Sequence, residues 1–290
     1  MKAVAEEIYV ADILELTKPR ICVLALLMTT LGYVLGQKGE FSLSHFIFSL
    51  LGTGLVGAGS CIFNQYAEID TDAKMLRTMN RPLPTGRLSS ALALRLGVGM
   101  SVLGIVILLM TVNAVTSILG AVTVLLYLGV YTPSKRISPL STLIGAIPGA
   151  MPPLMGWTAA NGNFSAEGFL LFAILFIWQI PHFLAIGWLY REDYGRADMP
   201  ILSVVDTAGL ATSKQVILYS LALMPLTLVP TLWGMTGTSY LVGAVFLNLI
   251  FLGFGICLAW QRNKTWARAL FLVSILYLPA LGGLMVWDRL

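Results

Sequence analysis

The chain has 290 residues, of which 57% are hydrophobic and 11% are charged, and its mean hydropathy is +0.84. A soluble domain carries about 25% charged residues, so this composition excludes a soluble globular fold. The high apolar content also excludes an intrinsically disordered chain. We therefore expect an all-α, polytopic membrane protein.

Hydropathy predicts nine membrane-spanning helices, since a helix needs roughly 20 apolar residues to cross the hydrocarbon core. The predicted spans cover residues 21–36, 45–63, 91–112, 115–132, 142–160, 168–190, 215–234, 240–260 and 266–287. These segments are too long for strands and lack the alternation of an outer-membrane barrel. We expect one domain over residues 1–290 with its helices around a central cavity, and a pseudo-repeat that relates helices 1–4 to helices 5–8.

The segment ahead of the first span, residues 1–16, does not read as a signal peptide. Glu6, Glu7 and Asp12 interrupt any apolar core that such a peptide would need. Apolar residues recur in it every three or four positions, which indicates a short amphipathic helix lying on the membrane surface.

The distribution of charge predicts the orientation of the chain. Of the 18 Lys and Arg residues, all but Lys38 and Arg289 fall on one side of the nine spans. The positive-inside rule then places the N-terminus in the cytoplasm and the C-terminus outside, as in a bacterial inner-membrane protein. The acidic residues crowd on the same side, with only Glu40, Glu167 and Asp288 opposite. That rule does not require such crowding, so we interpret it as a sign of function.

The first acidic segment follows the second span and carries Asn64, Glu68 and Asp72 at intervals of four residues. If the helix continues past the membrane boundary, these three side chains share one face. Carboxylates at this spacing repel each other, so a divalent cation or neighbouring Lys and Arg must compensate them. A solvated charged loop is the alternative interpretation.

The second acidic segment, residues 190–200, follows the sixth span and mixes Asp193 and Asp198 with arginines. Because the two segments occupy equivalent places in the two halves, we expect them to face each other over the cavity. Carboxylates interleaved with Lys and Arg suit a diphosphate bound through magnesium, which links one or two carboxylates to phosphate oxygens. At a membrane boundary, such a ligand with a lipid tail is a prenyl diphosphate.

Polar residues inside the sixth span are further candidates, because intramembrane polar groups are often functional. Pro181 predicts a kink, which would let Gln179 and His182 face a cavity beside Trp178. A histidine that only packs and hydrogen-bonds is an equally good interpretation. The Gly- and Pro-rich fifth span is compatible with a cavity lining or with a structural kink.

Two more features have competing interpretations. Lys135 and Arg136 are either the ordinary basic flank of the fourth span or contacts to a diphosphate. The three cysteines, Cys22, Cys61 and Cys257, lie within spans without any metal-binding spacing, so we expect them to be packing residues.

These motifs together resemble the UbiA superfamily of intramembrane prenyltransferases, and within it the branch that farnesylates heme. The matching stretches are residues 16–21, 64–86, 131–136, 178–183 and 191–202. In the superfamily pattern Asn-x-x-x-Asp-x-x-x-Asp, Glu68 here replaces the first Asp. The second pattern, Asp-x-x-x-Asp, is incomplete because Ala197 stands at its last position and Asp198 follows one residue late.

The resemblance implies a magnesium-dependent enzyme of the lipid bilayer that takes farnesyl diphosphate and protoheme IX as substrates. It assigns metal binding to Asn64, Glu68, Asp72 and Asp193, and catalysis to these four and His182. It assigns substrate contacts to Arg20, Tyr66, Lys74, Arg77, Arg81, Lys135, Arg136, Trp178, Gln179 and Asp198.

The resemblance further implies that heme is a transient substrate, whose product passes to a terminal oxidase directly or through a heme A synthase. Two other functions remain open from the residues. The acceptor could be an aromatic ring such as 4-hydroxybenzoate, or the protein could be a transporter that binds an ion at its helix breaks. A transporter would place acidic residues near the bilayer midplane, whereas here they lie at one face.

Overall fold

The computed structural model describes residues 2–290 of the backbone and the side chains from residue 9 onward. Within these residues the fold is helical, with turns and one isolated bridge between Thr236 and Arg289. In chain order the helices are α1 (Lys2–Leu16), α2 (Pro19–Gly36), α3 (Leu43–Ala67), α4 (Ile69–Asp72), α5 (Ser90–Thr111), α6 (Ala114–Leu125), a π-helical turn (Leu126–Tyr131), α7 (Thr132–Ser134), α8 (Ser141–Gly149), α9 (Met151–Asn161), α10 (Ala166–Leu189), α11 (Arg191–Arg196), α12 (Leu202–Val205), α13 (Leu210–Leu232), α14 (Thr238–Gln261) and α15 (Lys264–Trp287).

Eight helical segments in the described chain are long and apolar enough to cross a membrane, which confirms the all-α, polytopic class. They are α2, α3, α5, the run from α6 to α7, α10, α13, α14 and α15. The predicted fifth span, residues 142–160, differs because it forms the two shorter helices α8 and α9, which meet at Ala150. Its prolines lie at that junction, where a missing N–H interrupts the helical hydrogen bonds.

Helix α1 is attached to the bundle. Leu16 is fully buried, and Asp12, which is 6% exposed, accepts hydrogen bonds at 3.0 and 3.1 Å from the guanidinium of Arg87. Three other apolar side chains of α1 remain exposed: Tyr9, Val10 and Leu14. The apolar positions Val4 and Ile8 of the predicted amphipathic helix lie outside the described side chains, so its place at the membrane surface stays a prediction.

The segments predicted to share one side of the membrane meet at one end of the bundle. The Nζ atom of Lys135 lies 2.7 Å from Glu68 Oε1, and Lys264 Nζ lies 2.8 Å from Glu192 Oε1. We call this end, formed by residues 9–20, 68–89, 135–140, 190–209 and 262–264, the charged end. At the opposite end Arg289 donates hydrogen bonds of 2.6 Å to main-chain carbonyls at the end of α2.

Helices α2 and α9 approach so closely that side chains are excluded at two glycines. A Cβ atom on Gly32 would lie 1.9 Å from the carbonyl oxygen of Pro153, and one on Gly156 would lie 1.9 Å from the carbonyl oxygen of Thr29. Small residues allow such backbone contact between membrane helices. This contact joins the broken fifth crossing to the first span.

Substituting Gly156→Ala is expected to lower the thermal unfolding midpoint of the detergent-solubilised protein. The added methyl group has no space, and overpacking of this kind costs about 1–3 kcal/mol. The matched control is Gly99→Ala in α5, where a Cβ would meet no atom within 4 Å. We expect the control to leave the midpoint unchanged or raise it slightly, since Ala favours helix over Gly. Equal midpoints for the two variants would contradict the close α2–α9 contact.

Candidate active site

Asn64, Glu68 and Asp72 form one buried stripe at the charged end. The backbone stays nearly helical across the break between α3 and α4, because Glu68 N–H donates to Asn64 O at 3.1 Å and Asp72 N–H donates to Glu68 O at 2.7 Å. The three residues are only 1%, 5% and 1% exposed. They are therefore not a solvated loop, and the amide of Asn64 and the carboxylates of Glu68 and Asp72 need partners within the protein.

Two lysines from distant parts of the chain supply such partners. Lys18 Nζ donates to Asn64 Oδ1 at 2.7 Å, and Lys135 Nζ donates to Glu68 Oε1 at 2.7 Å. Lys18 has a left-handed backbone (φ 50°) directly before Pro19, a position where helical geometry is disfavoured. This turn at the start of α2 places the Lys18 side chain against the stripe.

The third partner comes from the same segment as Asp72. Arg81 Nη1 donates to Asp72 Oδ2 at 2.7 Å, and the hydroxyl of Thr78 donates to the main-chain carbonyl of Asp72 at 2.9 Å. The segment after α4 therefore folds back on the stripe. We call the six residues that these bonds join the charged cluster: Lys18, Asn64, Glu68, Asp72, Arg81 and Lys135.

The charged cluster contains three cations and two carboxylates. Burial by itself would raise the pKa of the Glu68 carboxyl, but Lys135 and Lys18 outweigh that effect and hold the pKa below its usual range. Burial would likewise lower the pKa of Lys135, but Glu68 raises it well above its usual range. Glu68 is thus ionised and Lys135 protonated at neutral pH. The excess of positive charge makes the cluster suited to an anion.

Two polar atoms in the stripe lack a hydrogen-bond partner among the described residues, Asp72 Oδ1 and Asn64 Nδ2. A buried carboxylate oxygen without a partner is costly unless a ligand satisfies it. The described residues contain no group of three or more His, Cys, Asp or Glu side chains that could hold a metal ion by themselves. The donors fit magnesium nonetheless, because that ion commonly binds through one or two carboxylates together with substrate phosphates.

The fourth crossing ends with a π-helical turn, and this turn places an aromatic ring in the cluster. Lys135 Nζ lies 4.5 Å from the centre of the Tyr131 ring, and that centre is 5.1 Å from the centre of the Tyr127 ring. Gly145 in α8 leaves room for Tyr131, since a Cβ there would lie 2.3 Å from a ring carbon. Single π-helical turns are frequent at functional sites.

The second acidic segment contacts the first. Asp193 Oδ1 accepts a hydrogen bond from the main-chain N–H of Leu76 at 3.1 Å and pairs with Arg196. Lys74 Nζ lies 3.0 Å from Asp198 Oδ2, in an ion pair whose Asp198 side chain is 81% exposed. The two segments thus meet as predicted from their places in the chain. The described contacts of Asp193 and Asp198 are to the loop after α4 and not to the stripe.

Aromatic and apolar contacts reinforce that meeting. The guanidinium of Arg77 lies 4.9 Å from the centre of the Tyr190 ring and 6.0 Å from that of Tyr194. A small apolar core is buried between the two segments and consists of Met75, Ala197, Met199 and Ile201. The position of Ala197 in that core explains why an apolar residue is tolerated where the superfamily pattern has an acid.

The predicted polar residues of the sixth span lie in the bundle core. His182 Nδ1 is 2.6 Å from Ser274 Oγ, and its ring stacks between Trp178 and Phe271 at centroid distances of 4.8 and 5.2 Å. Gln179 Nε2 donates weakly to two main-chain carbonyls, at 3.3 and 3.5 Å. Helix α10 continues through Pro181 to Leu189. None of the hydrogen bonds among the described residues joins this group to the charged cluster.

The remaining predicted contacts lie at the surface of the charged end. Arg136 donates to the carbonyl of Ala67 at 2.9 Å, whereas Arg20 and Tyr66 are exposed and make no side-chain hydrogen bond among the described residues. Prediction from sequence named Arg20 but missed Lys18 and Tyr131. Both missed residues stand in stretches that had been matched to the superfamily, residues 16–21 and 131–136, which was the available signal.

Comparison with known proteins agrees with this arrangement. A model of the UbiA prenyltransferase family matches residues 25–276. The chain is 46% identical over 287 residues to a protoheme IX farnesyltransferase of Solibacter usitatus, covering 96% of this chain and 98% of that protein. It is 40% identical over 288 residues to a protoheme IX farnesyltransferase of Opitutus terrae, covering 97% and 95%.

Solved structures show the same fold at low sequence identity. A structure of digeranylgeranylglyceryl phosphate synthase superposes with a TM-score of 0.80 at 17% identity, covering 96% of this chain and 98% of the other. A UbiA homologue from Archaeoglobus fulgidus bound to DMAPP and Mg²⁺ superposes with a TM-score of 0.67 at 15% identity, covering 94% and 99%.

Proposed function

The chain belongs to the UbiA prenyltransferase family, and from this premise we propose that it transfers the farnesyl group of farnesyl diphosphate to protoheme IX. A porphyrin vinyl carbon forms the new C–C bond, water adds to the neighbouring carbon, and heme O and diphosphate are released. The relatives' names support this donor and acceptor. The observation in this chain that carries the proposal is the charged cluster, in which cations surround buried oxygen ligands.

The metal-binding residues we propose are Asn64, Glu68 and Asp72, with Asp193 contributed by the second segment. Asp72 Oδ1 supports this assignment because it is buried and has no hydrogen-bond partner among the side chains from residue 9 onward or the described backbone. When bound, magnesium supplies positive charge that stabilises the departing diphosphate.

The cations of the cluster bind the diphosphate in this proposal. Lys18, Arg81 and Lys135 donate charge-assisted hydrogen bonds to the phosphate oxygens, which are stronger than neutral ones. They keep the electron pair of the breaking C–O bond on the leaving group. Further basic residues lie around the cluster and complete the contacts to the head group: Arg20, Lys74, Arg77 and Arg136.

Breaking the C–O bond leaves an allylic farnesyl cation that must be kept from water until the vinyl group attacks. Tyr131 already holds one cation, the Lys135 ammonium, at 4.5 Å from its ring centre. We assign it the stabilisation of the farnesyl cation by its ring face. We place the exposed Tyr66 and Asp198 at the entrance to the active site. We place Trp178, Gln179 and His182 beside the porphyrin acceptor.

The protein is a multi-pass membrane protein, and the orientation we propose has the charged end and the active site facing the cytoplasm of a bacterial-type inner membrane. The concentration of Lys and Arg at that end supports it. We further propose that the chain forms a single domain with a pseudo-repeat of its first eight crossings. Transfer of the product to a terminal oxidase or a heme A synthase stays a prediction.

The function is tested by incubating the purified protein with farnesyl diphosphate and either protoheme or 4-hydroxybenzoate, and weighing the products by mass spectrometry. We expect a product only with protoheme, heavier by one farnesyl group and one hydroxyl group, and only when magnesium is present. A farnesylated benzoate would establish the aromatic acceptor instead. Ion uptake into liposomes without any product would favour a transporter.

A further inference from the structure

A groove of about 350 Å³ lies at the charged end between the end of α10 and the start of α15, outside the charged cluster. Its lining combines aromatic, aliphatic and basic side chains: Leu189, Tyr190, Lys264, Arg268, Phe271 and Leu272. None of these residues was predicted to have a role. The combination suits an amphipathic ligand that has a flat apolar body and an acidic edge.

Neither cation of the groove has a buried partner among the described residues. Lys264 and Arg268 are four residues apart on α15, so they share one face with an offset of about 6 Å along the axis. Lys264 pairs with Glu192 at 2.8 Å, but the side chains are 60% and 65% exposed, and exposed pairs contribute little. Arg268 makes no side-chain hydrogen bond or ion pair with any residue from 9 onward.

Two aromatic rings connect the groove to residues already described. The Tyr190 ring holds the Arg77 guanidinium at 4.9 Å, and Arg77 belongs to the loop that follows Asp72. The Phe271 ring lies 5.2 Å from His182, at an interplanar angle of 30°. A ligand in the groove would therefore contact two rings, of which one packs against the loop that follows Asp72 and the other against the aromatic stack of the bundle core.

We propose that this groove binds the carboxylate edge of the porphyrin acceptor, an inference that rests on the proposed function. Protoheme IX carries two propionates on one edge of a flat apolar ring, and the groove offers two cations on one edge of an apolar, aromatic wall. Lys264 and Arg268 form charge-assisted hydrogen bonds with the propionates. Glu192 competes with them for Lys264.

The test measures binding without farnesyl diphosphate, so that it does not depend on turnover. The double variant Lys264→Gln/Arg268→Gln and the unmodified protein are placed in phosphatidylcholine nanodiscs and titrated by absorbance with iron protoporphyrin IX and with its dimethyl ester. We expect the double variant to raise the Kd for the diacid about tenfold or more. The Kd for the ester, which lacks the charges, is expected to be the same for both proteins.

The matched control is Arg95→Gln/Lys214→Gln, which removes two exposed cations near the same end on α5 and α13. We expect it to leave both Kd values unchanged. Equal weakening by the control, or an equal loss of ester affinity, would overturn the proposal. An unchanged Kd for the diacid, together with a loss of phosphatidylglycerol binding in the double variant, would also overturn the proposal, because the groove would then bind a lipid head group.

A second variant shows whether a change in Kd reflects the charge of the groove and not a loss of the fold. Glu192→Gln releases Lys264 without removing a groove cation, and we expect it to lower the Kd for the diacid several-fold; a higher Kd would contradict the proposal. Failure of the groove and failure of the function are distinguishable. Tight, charge-dependent porphyrin binding without any farnesylated product overturns the function, whereas normal product with charge-independent binding overturns the groove.

Discussion

Asp72→Asn is expected to reduce the rate of farnesyl transfer by about 10²–10³-fold, because it removes the buried charge that we propose binds the metal, worth several kcal/mol in the transition state. Asp72 is 1% exposed, and one of its carboxylate oxygens has no hydrogen-bond partner in the part of the chain that the structure describes. The amide is isosteric, and its oxygen keeps an acceptor for Arg81, which now donates at 2.7 Å. The measurement is single-turnover product formation at a series of magnesium concentrations.

The matched control for this variant is Asp70→Asn, the same change two residues earlier on an exposed side chain. We expect its rate to stay within about twofold of the unmodified protein, because an exposed carboxylate contributes little. The thermal midpoint of Asp72→Asn reports whether the fold survives. Equal rates for the two variants would contradict the proposal that the buried Asp72, and not the exposed Asp70, binds the metal.

Lys135→Met is expected to destabilise the protein and to abolish transfer. It leaves the Glu68 carboxylate, which is 5% exposed, without the ammonium that now lies 2.7 Å away. An unpaired buried charge costs about 3–5 kcal/mol. The thermal midpoint and the farnesyl transfer rate are both measured. Arg136→Met is the control for the thermal midpoint alone, since Arg136 is the exposed neighbour and bonds only to the carbonyl of Ala67.

The double variant Glu68→Leu/Lys135→Met separates stability from function. Replacing both members of a buried ion pair by apolar side chains is often neutral, so we expect the thermal midpoint to recover. Activity is expected to remain lost, because the variant lacks both a cation that we propose binds phosphate and an acid that we propose binds the metal. Recovery of activity together with the midpoint would mean that this pair only supports the fold.

The broken fifth crossing shows where hydropathy is insufficient. Residues 142–160 have the length and composition of a span, yet they form α8 and α9 with a junction at Ala150. Hydropathy reports the total apolar length and not the continuity of hydrogen bonds. The prolines of the segment indicated a break, and the close contact of α9 with α2 at Gly32 and Gly156 supports the two pieces.

The second acidic segment was predicted in place but not in detail. Its position after the sixth span correctly indicated contact with the first segment. The sequence could not indicate that Asp193 accepts the N–H of Leu76, because the two residues are 117 positions apart. The exposed pair of Asp198 with Lys74 likewise depends on how the two loops pack.

By itself, the sequence determined the membrane class, the all-helical fold, the division of charge between two ends and the stripe of Asn64, Glu68 and Asp72. These features follow from the composition of the chain and from the periodicity of single helices, and neither depends on how distant segments pack. Only the tertiary structure decided which cation pairs with which residue of the stripe. Lys18 contacts Asn64 across 46 positions of the chain, and Lys135 contacts Glu68 across 67. Residues so far apart are brought together by the packing of the helices, which no local sequence pattern reveals.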